Sequence, residues 1–264
     1  ALRLLPSLSR IVTGLSQISL YVASVEVISN FLPSKSVKGQ RPDIYRQKEK
    51  IEFSGGLIIS NAKFHYPDQA TSLKIKHFSL GVSENALITG ASGTGKSTFL
   101  NILSGNLNAE PDTAASKRFI LPCKNIRFGY SPQFPMLFSG SLEENIIFGR
   151  EFDPLLLSKV SRIVGLDDLF ASKAEGVQDL GADLSGGQRA RIGIARAIYG
   201  NPNVLLLDEP TASLGRQDGM TMVSRILKSD LIGAVICVSH DEHLAKHFDK
   251  IWIINGGELR IKNG

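Results

Sequence analysis

One stretch limits the fold of this chain more than any other. Residues 85–103 read NALITGASGTGKSTFLNIL, which is an apolar run, a glycine-rich loop and a segment with helical spacing. A short buried strand that turns through glycines into a helix is typical of a parallel sheet with helices on its faces. VLLLD at 204–208 and AVICVSH at 234–240 are continuous apolar runs, as expected for strands covered on both sides. The chain is therefore predicted to be an α/β protein with a mostly parallel sheet.

The glycine-rich loop fits the pattern G-x-x-x-x-G-K-[ST]. Glycines let backbone N–H groups point at phosphates, and the start of the following helix adds partial positive charge. Lys96 would reach the β- and γ-phosphates of a nucleotide, and Ser97 would give an oxygen to Mg²⁺. A plain glycine turn at a helix start is the alternative, and the preceding strand argues against it. The predicted nucleotide-binding residues are Gly90, Ala91, Ser92, Gly93, Thr94, Gly95, Lys96, Ser97 and Thr98.

Two acidic residues, Asp208 and Glu209, follow the VLLLD strand. The carboxyl ends of strands are where open α/β sheets bind ligands. We expect Asp208 to hold Mg²⁺, largely through water, and Glu209 to orient or deprotonate an attacking water. These motifs alone leave kinases, GTPases and helicases open.

A second glycine-rich stretch, LSGGQ at 184–188, comes about ninety residues later. Ser185 and Gln188 stand in the S-x-x-Q relation of a capping box and would start the helix GQRARIGIARAIYG. A helix N-terminus is also an anion site. The residues alone leave both interpretations, helix cap and anion site, open.

Taken together, these motifs resemble the ATP-binding cassette family, and the resemblance covers about residues 51–262. LSGGQRARIGIARAIYGNPNVLLLDEPTASL looks like that family's signature loop, signature helix and Walker B strand in unbroken succession. Tyr66 in FHYPD matches the aromatic residue that stacks on adenine. Gln133 in YSPQ matches the glutamine that senses Mg²⁺ and the attacking water, and His240 in VSH matches the histidine that contacts the γ-phosphate.

The resemblance implies an ATPase with ATP and Mg²⁺ as cofactors. The implied catalytic residues are Glu209, His240, Gln133 and Lys96. The implied Mg²⁺ ligands are Ser97, Gln133 and Asp208. In this family two cassettes pair head to tail, which implies a second copy of this domain as partner. The signature loop residues Leu184, Ser185, Gly186, Gly187 and Gln188 would then act on the partner's ATP.

Three segments resemble exporter-type cassettes. SGSLEENIIFG is similar to the segment that follows the Gln133 loop, and VQDLGADLSGGQ is similar to the stretch before the signature loop, although Asp179 stands where glutamate is usual. In exporters, the stretch before the signature loop and the region of the Gln133 loop touch the coupling helices of the membrane domain. RLLPSLSRIVTGL is similar to the cytoplasmic end of the last membrane-spanning helix in exporters of the oligosaccharide and lipid-linked-sugar type. The resemblance thus implies an exporter's ATPase domain at the cytoplasmic face of a membrane, such as the bacterial inner membrane. A soluble cassette protein of translation or DNA repair is the alternative, and a P-loop phosphotransferase is a third.

The chain divides into three parts by pattern. Apolar residues recur at 4, 8, 11, 15, 18, 22 and 25, which predicts an amphipathic helix over 1–32, too interrupted by polar residues to span a membrane. A polar, basic linker is predicted over 33–50. The cassette is predicted over 51–264, with a helical subdomain at about 141–184. LIISNAKFHY and KIKHFSLGV alternate as strands do and predict an N-terminal antiparallel β subdomain, and KIWIINGGELRI predicts a terminal hairpin that turns at Gly256 and Gly257.

Several other residues receive ordinary interpretations. The net charge is +5, but no aromatic residue is interleaved with Arg189, Arg191 and Arg196. We therefore predict a solvated or ion-paired arginine face and no nucleic-acid partner. His240, His243 and His247 are not predicted to bind a metal, because the first ends a strand and the others follow on a helix. Gly215 stands where the family has an aspartate that reaches across the dimer, which puts communication between the two sites in question.

Overall fold

The computed structural model describes residues 56–65, 72–107, 110–111, 126–172 and 184–262. Its strands are β1 (Leu57–His65), β2 (Ser72–Leu80), β3 (Ala86–Thr89), β4 (Glu110–Pro111), β5 (Phe128–Ser131), β6 (Val204–Asp208), β7 (Ala234–Val238), β8 (Lys250–Asn255) and β9 (Glu258–Ile261). Its α-helices are α1 (Lys96–Leu103), α2 (Leu142–Ile147), α3 (Pro154–Val164), α4 (Asp167–Ser172), α5 (Gly186–Tyr199) and α6 (Arg216–Leu227), and a 3₁₀ helix covers Glu242–His247. The predicted amphipathic helix and linker lie outside the described residues.

The described strands form one sheet in the order β4-β1-β2-β9-β8-β3-β7-β6-β5. All neighbouring pairs among β8, β3, β7, β6 and β5 are parallel, whereas β1 pairs antiparallel with β2. The predicted α/β fold with a mostly parallel core and an antiparallel N-terminal part is confirmed. The antiparallel part is not a separate sheet, since β2 joins the rest through a parallel pairing with β9.

The predicted terminal hairpin is also confirmed. β8 and β9 pair antiparallel around Gly256 and Gly257, which both have positive φ. A Cβ atom on Gly257 would collide with the carbonyl oxygen of Ser72. Glycine is therefore required where the hairpin passes β2.

The core explains why the central strands are continuously apolar. Val204 and Leu206 of β6 pack on one face of the sheet, in the cluster that contains Phe99 of α1. Leu205 and Leu207 pack on the other face, in the cluster that contains residues of α5. All five residues of β6 are buried, so truncating one of its leucines to alanine is expected to cost about 2–5 kcal/mol.

Within its described residues, the stretch from 141 to 172 holds three helices and no strand. α2 begins with a capping box between Ser141 and Glu144. α3 begins at Pro154 after Asp153, whose side chain accepts two backbone hydrogen bonds. Asp and Pro in this order are strong helix-start signals, which explains why the local sequence folds this way.

The arginines of α5 differ from the sequence-based prediction. Arg191 donates to the carbonyl oxygen of Val164. Arg196 donates from Nε to the carbonyl oxygen of Asn145 and from Nη1 to that of Met136, both at 2.8 Å. The predicted solvated or ion-paired face is therefore wrong for Arg191 and Arg196, which hold the preceding segments through their backbone carbonyls.

No helix in the described ranges is long and apolar enough to cross a membrane.

Candidate active site

The phosphate loop, defined as residues 90–97, ends at an uncapped helix. Gly95 is the N-cap of α1, with φ at 101°, and no side chain caps the helix start. The first turn of α1 also contains no acidic residue. A Cβ atom on Gly90 would lie 2.5 Å from the carbonyl oxygen of Ile254, so the loop needs glycine there. The start of α1 therefore has the backbone geometry and the partial charge that suit an anion.

A cleft of about 570 Å³ opens above this loop. Its lining residues are Gly90, Ala91, Ser92, Gly93, Gly95, Lys96, Ser97, Thr98, Gln133, Glu209 and His240. The structure thus brings together most of the residues that the sequence indicated for nucleotide binding and catalysis. Thr94 does not line the cleft; its hydroxyl donates to the carbonyl oxygen of Ala91 at 2.9 Å and braces the loop.

The Lys96 side chain contacts the backbone of the phosphate loop and the carboxylate of Glu209. Its side chain is only 9% exposed, and Nζ donates to the carbonyl oxygens of Gly90 and Ala91 at 3.0 Å each. The same ammonium lies 3.9 Å from Oε1 of Glu209. These contacts place a positive charge against both the loop and the carboxylate.

Glu209 has a backbone conformation that is unusual for a residue with a side chain. Its φ is 48°, in the left-handed region, and its N–H donates to the carbonyl oxygen of Val238. Its Oε2 accepts from the backbone N–H of His240 at 3.3 Å and lies 2.9 Å from Nδ1 of the same residue. Non-glycine residues in this region cost about 1–3 kcal/mol and cluster at functional sites. Glu209 in this conformation lines the cleft.

Asp208 lies one residue earlier and is almost completely buried, at 5% exposure. Burial is the main cause that raises the pKa of its carboxyl. Its Oδ2 accepts a hydrogen bond from the Tyr130 hydroxyl at 3.4 Å, whereas Oδ1 is buried and has no hydrogen-bond partner in the described structure. A buried carboxylate oxygen without a partner suits a cation or its bound water.

The donor set around Asp208 fits Mg²⁺. The Ser97 hydroxyl at the start of α1, the Asp208 carboxylate and the Gln133 amide are hard oxygen donors, which Mg²⁺ prefers. The Ser97 side chain also acts on the Asp208 carboxyl and lowers its pKa against the effect of burial. These three residues could therefore hold the ion.

Tyr130 was not predicted as a site residue. Burial is the main cause that raises the pKa of its hydroxyl to about 12, with the Asp208 charge as a second cause. Its position in YSPQ, three residues before Gln133, is a sequence signal that it lies near the site. Its contact with Asp208 depends on the pairing of β5 with β6.

The signature loop, residues 184–188, starts α5 with its own cap. Ser185 is the N-cap, the N–H of Gln188 donates to its Oγ at 3.2 Å, and the Ser185 N–H donates to Oε1 of Gln188 at 2.8 Å. The predicted capping box is confirmed. Leu184 is buried and Ser185 is exposed. None of the five residues lines the phosphate-loop cleft; Gly186 instead lines a separate groove of about 390 Å³ together with Gln133 and Ser213.

Three further predictions concern an aromatic residue, a helix start and a metal site. Tyr66 lies outside the described residues. Gly215 is the N-cap of α6, with φ at −60° and no side-chain cap. In the described ranges no three His, Cys, Asp or Glu side chains are grouped as a metal site would need.

Comparison with known proteins identifies similar chains. A family model described as ABC transporter matches residues 73–212. An uncharacterized ABC transporter ATP-binding protein of Bacillus subtilis, YknV, is 28% identical over 97% of this chain and 44% of its own length. The glutathione/L-cysteine transport system ATP-binding/permease protein CydC of Haemophilus influenzae is 30% identical over 82% of this chain and 41% of its own length.

A solved structure, that of a bacterial Atm1-family ABC exporter with ATP bound, has the same fold. It superimposes with a TM-score of 0.68 at 24% identity, over 79% of this chain and 38% of that chain. This chain spans less than half of the length of each of these three proteins.

Proposed function

Because the chain belongs to the ABC transporter family, as its ATP-binding and ATPase domain, we propose that it drives export across a membrane as part of a longer transporter. The observation that carries this proposal is the single cleft in which Lys96, Glu209, His240 and Gln133 surround the phosphate loop.

The residues of the cleft support a hydrolytic reaction. The N–H groups of the loop and the Lys96 ammonium would bind the β- and γ-phosphates of ATP. Glu209 would accept a proton from the water that attacks the γ-phosphorus, while the bond to the ADP oxygen breaks. His240, 2.9 Å from the Glu209 carboxylate, would orient that carboxylate and contact the γ-phosphate. Mg²⁺, held by Ser97, Asp208 and Gln133, would supply positive charge to the phosphates.

The signature loop supports a head-to-tail pair of domains. Ser185 is exposed, and the loop lies outside the cleft of its own chain. Its helix start can therefore meet a phosphate that belongs to a second copy. In the proposed pair, residues 184–188 of each copy cover the ATP in the other. Tyr66 as the adenine-stacking residue remains part of the same proposal.

An exposed apolar surface supports contact with a membrane domain. Phe134, Met136 and Phe148 are 77%, 86% and 51% exposed, and we call these three residues the docking surface. Such a group of exposed apolar side chains beside a site marks an interaction surface. Arg196 ties this surface to α5, because it bonds to the Met136 carbonyl and lies 4.7 Å from the centre of the Phe148 ring. A displacement of the docking surface can thus be transmitted through Arg196 to α5, the helix that starts with the signature loop.

The type of exporter is proposed from the N-terminal segment. RLLPSLSRIVTGL is similar to the end of the last membrane-spanning helix in oligosaccharide and lipid-linked-sugar exporters, and we assign the chain to that type. The proposed location is the cytoplasmic face of a membrane, with the bacterial inner membrane as the proposed compartment.

The substitution Glu209→Gln tests the ATPase. It removes the proton acceptor and keeps the shape of the side chain, so we expect hydrolysis to fall at least about 100-fold while ATP binding survives. The variant should accumulate as an ATP-bound dimer in size-exclusion chromatography. Glu242→Gln is the matched control, because Glu242 is exposed on the 3₁₀ helix. Hydrolysis at the wild-type rate in Glu209→Gln would refute the proposed role.

The docking surface is tested in the complete transporter. Phe134→Ser with Met136→Ser should leave ATP binding to the domain unchanged and should uncouple hydrolysis from transport. Val82→Ser is the control, because Val82 is an exposed apolar residue on another loop, at 49% exposure. Wild-type coupling in the double variant would contradict the assigned surface.

A further inference from the structure

Tyr130 lies beside the proposed metal site on a neighbouring strand. β5 runs parallel to β6, with Tyr130 level with Leu206, two residues before Asp208. The tyrosine ring reaches along the strands, and its hydroxyl oxygen lies 3.4 Å from Oδ2 of Asp208. The other carboxylate oxygen, Oδ1, has no hydrogen-bond partner among the described residues.

We propose that Tyr130 is a positioning residue that fixes the Asp208 carboxylate through Oδ2 and so reserves Oδ1 for Mg²⁺ or a water bound to it. The inference rests on the proposed function, because it takes Asp208 as a metal ligand. The Cβ–Cγ torsion of aspartate has broad minima, so a buried carboxylate without a fixed partner can rotate. A phenol O–H that donates to one oxygen removes that freedom.

A second contact links Tyr130 to the other proposed ligand. The Asn101 side chain on α1 acts on the Tyr130 hydroxyl and lowers its pKa, against the larger effect of burial. Nδ2 of Asn101 donates to the carbonyl oxygen of Ser97 at 3.0 Å. The Tyr130 hydroxyl therefore lies between the Asp208 carboxylate and the side chain of Asn101, which is bonded to the backbone of Ser97. Ser97 and Asp208, the two proposed ligands, lie 111 residues apart in the sequence.

The substitution Tyr130→Phe tests this role, because it removes the hydroxyl and keeps the ring that packs against the core. The full chain is loaded with a non-hydrolysable ATP analogue and titrated with Mn²⁺, which is followed by electron paramagnetic resonance. A hydrogen bond to a charged group accounts for about a tenfold change in an equilibrium constant, so we expect about tenfold weaker Mn²⁺ binding. Binding of the analogue in EDTA should stay within about twofold of the wild type.

Tyr199→Phe is the matched control. Tyr199 is buried, and its hydroxyl donates to the Glu151 carbonyl at 2.7 Å and accepts from the Asp153 N–H at 2.8 Å, away from the cleft. This variant should unfold at a lower temperature and bind Mn²⁺ as the wild type does. It separates the loss of a buried hydroxyl from the loss of metal positioning.

The outcomes also separate this inference from the proposed function. Unchanged Mn²⁺ binding in Tyr130→Phe, or an equal loss of analogue binding in EDTA, would overturn the positioning role. Asp208→Asn is measured beside it. If Asp208→Asn also leaves Mn²⁺ binding unchanged, the proposed metal site itself is wrong; if it weakens binding and Tyr130→Phe does not, only the role of Tyr130 fails.

Discussion

The phosphate loop and the signature loop both place glycines at the start of a helix, yet they differ in what caps that helix. The N-cap of α1 is Gly95, in a left-handed conformation and without a side-chain cap. The N-cap of α5 is Ser185, whose hydroxyl accepts from the Gln188 N–H while the Gln188 side chain caps in return. The first helix start is open to a phosphate, and the second already has a partner for one of its N–H groups.

The two loops also differ in the side chains that surround them. Lys96, Glu209 and His240 converge on the phosphate loop within one chain. The signature loop lines a different groove, and its exposed Ser185 faces outward. In the proposed function, the phosphate loop would bind a nucleotide within one chain, whereas the signature loop would act on a nucleotide that the second copy holds. Substitutions in the two loops should accordingly fail at different steps.

The largest expected effect follows from Lys96→Ala. Removing the ammonium should weaken ATP binding to the monomeric chain by about 100-fold, since hydrogen bonds to charged groups contribute about 1.5–3 kcal/mol. Isothermal titration calorimetry measures this directly. Lys246→Ala, on the 3₁₀ helix, is the control and should bind normally. If Lys96→Ala kept its affinity, the phosphate loop would have no advantage over the signature loop as a nucleotide site.

A smaller effect, on hydrolysis and not on ATP binding, is expected from Ser185→Asp compared with Ser185→Asn. Both side chains are good N-caps, so the free energy of unfolding should change by less than about 0.5 kcal/mol in either variant. Only Asp brings a negative charge towards the γ-phosphate of the second copy, and we expect it to reduce hydrolysis about 30-fold, by like-charge repulsion. Hydrolysis is measured with ATP binding to the monomer as a reference, which neither variant should alter. Equal activity of the two variants would leave Ser185 as a helix cap alone.

The features predicted from sequence are those with a local cause. β6 was predicted because a strand covered on both faces must be apolar throughout, and its five residues are all buried. The capping box of α5 was predicted because Ser185 and Gln188 need only their three-residue spacing. The phosphate loop follows β3, and the acidic pair Asp208 and Glu209 stands at the end of β6. The topology of the parallel sheet alone therefore brings them to one edge.

The features missed from sequence depend on contacts between distant segments. Tyr130 meets Asp208 only because β5 and β6 pair in one register, and no local pattern encodes that register. Arg196 has the spacing of an exposed helix face, but its guanidinium reaches carbonyl groups 51 and 60 residues earlier in the chain. The left-handed conformation of Glu209 was equally hidden, since glutamate carries no preference for it.

A moderate effect on stability is expected from Asp208→Asn without metal or nucleotide. Burial raises the pKa of Asp208 above its value in the unfolded chain. As pH rises between these two values, the unfolded chain loses its proton first, so the free energy of unfolding falls and stays lower above that window. Asparagine does not ionise, so the variant should be more stable than the wild type at pH 7. Well below the ordinary aspartate pKa of about 3.9, where both states of the wild type are protonated, the gain should vanish.

Thermal unfolding across this pH range, in EDTA, measures the difference. Ser185→Asn is a useful reference, because the signature loop has no buried acid and its variant should show no such pH dependence. A gain that is the same at pH 3 and pH 7 would mean that the charge of Asp208 is not its cause.

The smallest effect concerns Gly215, which resembles Gly95 in one respect only. Both are N-caps without a side-chain cap, but Gly215 has φ at −60° and ψ at 144°, which any residue can adopt, and a Cβ there would meet no atom within 4 Å. Gly215→Asp should therefore cap α6 and raise the free energy of unfolding by a few tenths of a kcal/mol, with ATP affinity unchanged. Gly95→Asp, the same change at the other uncapped start, should weaken ATP binding, because φ at 101° disfavours a side chain and the carboxylate would repel phosphate. Chemical denaturation measures the stability of both variants, and calorimetry measures their ATP affinity. We expect an uncapped helix start to bind ATP only where its N-cap has a left-handed backbone. A loss of ATP affinity in Gly215→Asp would contradict this expectation.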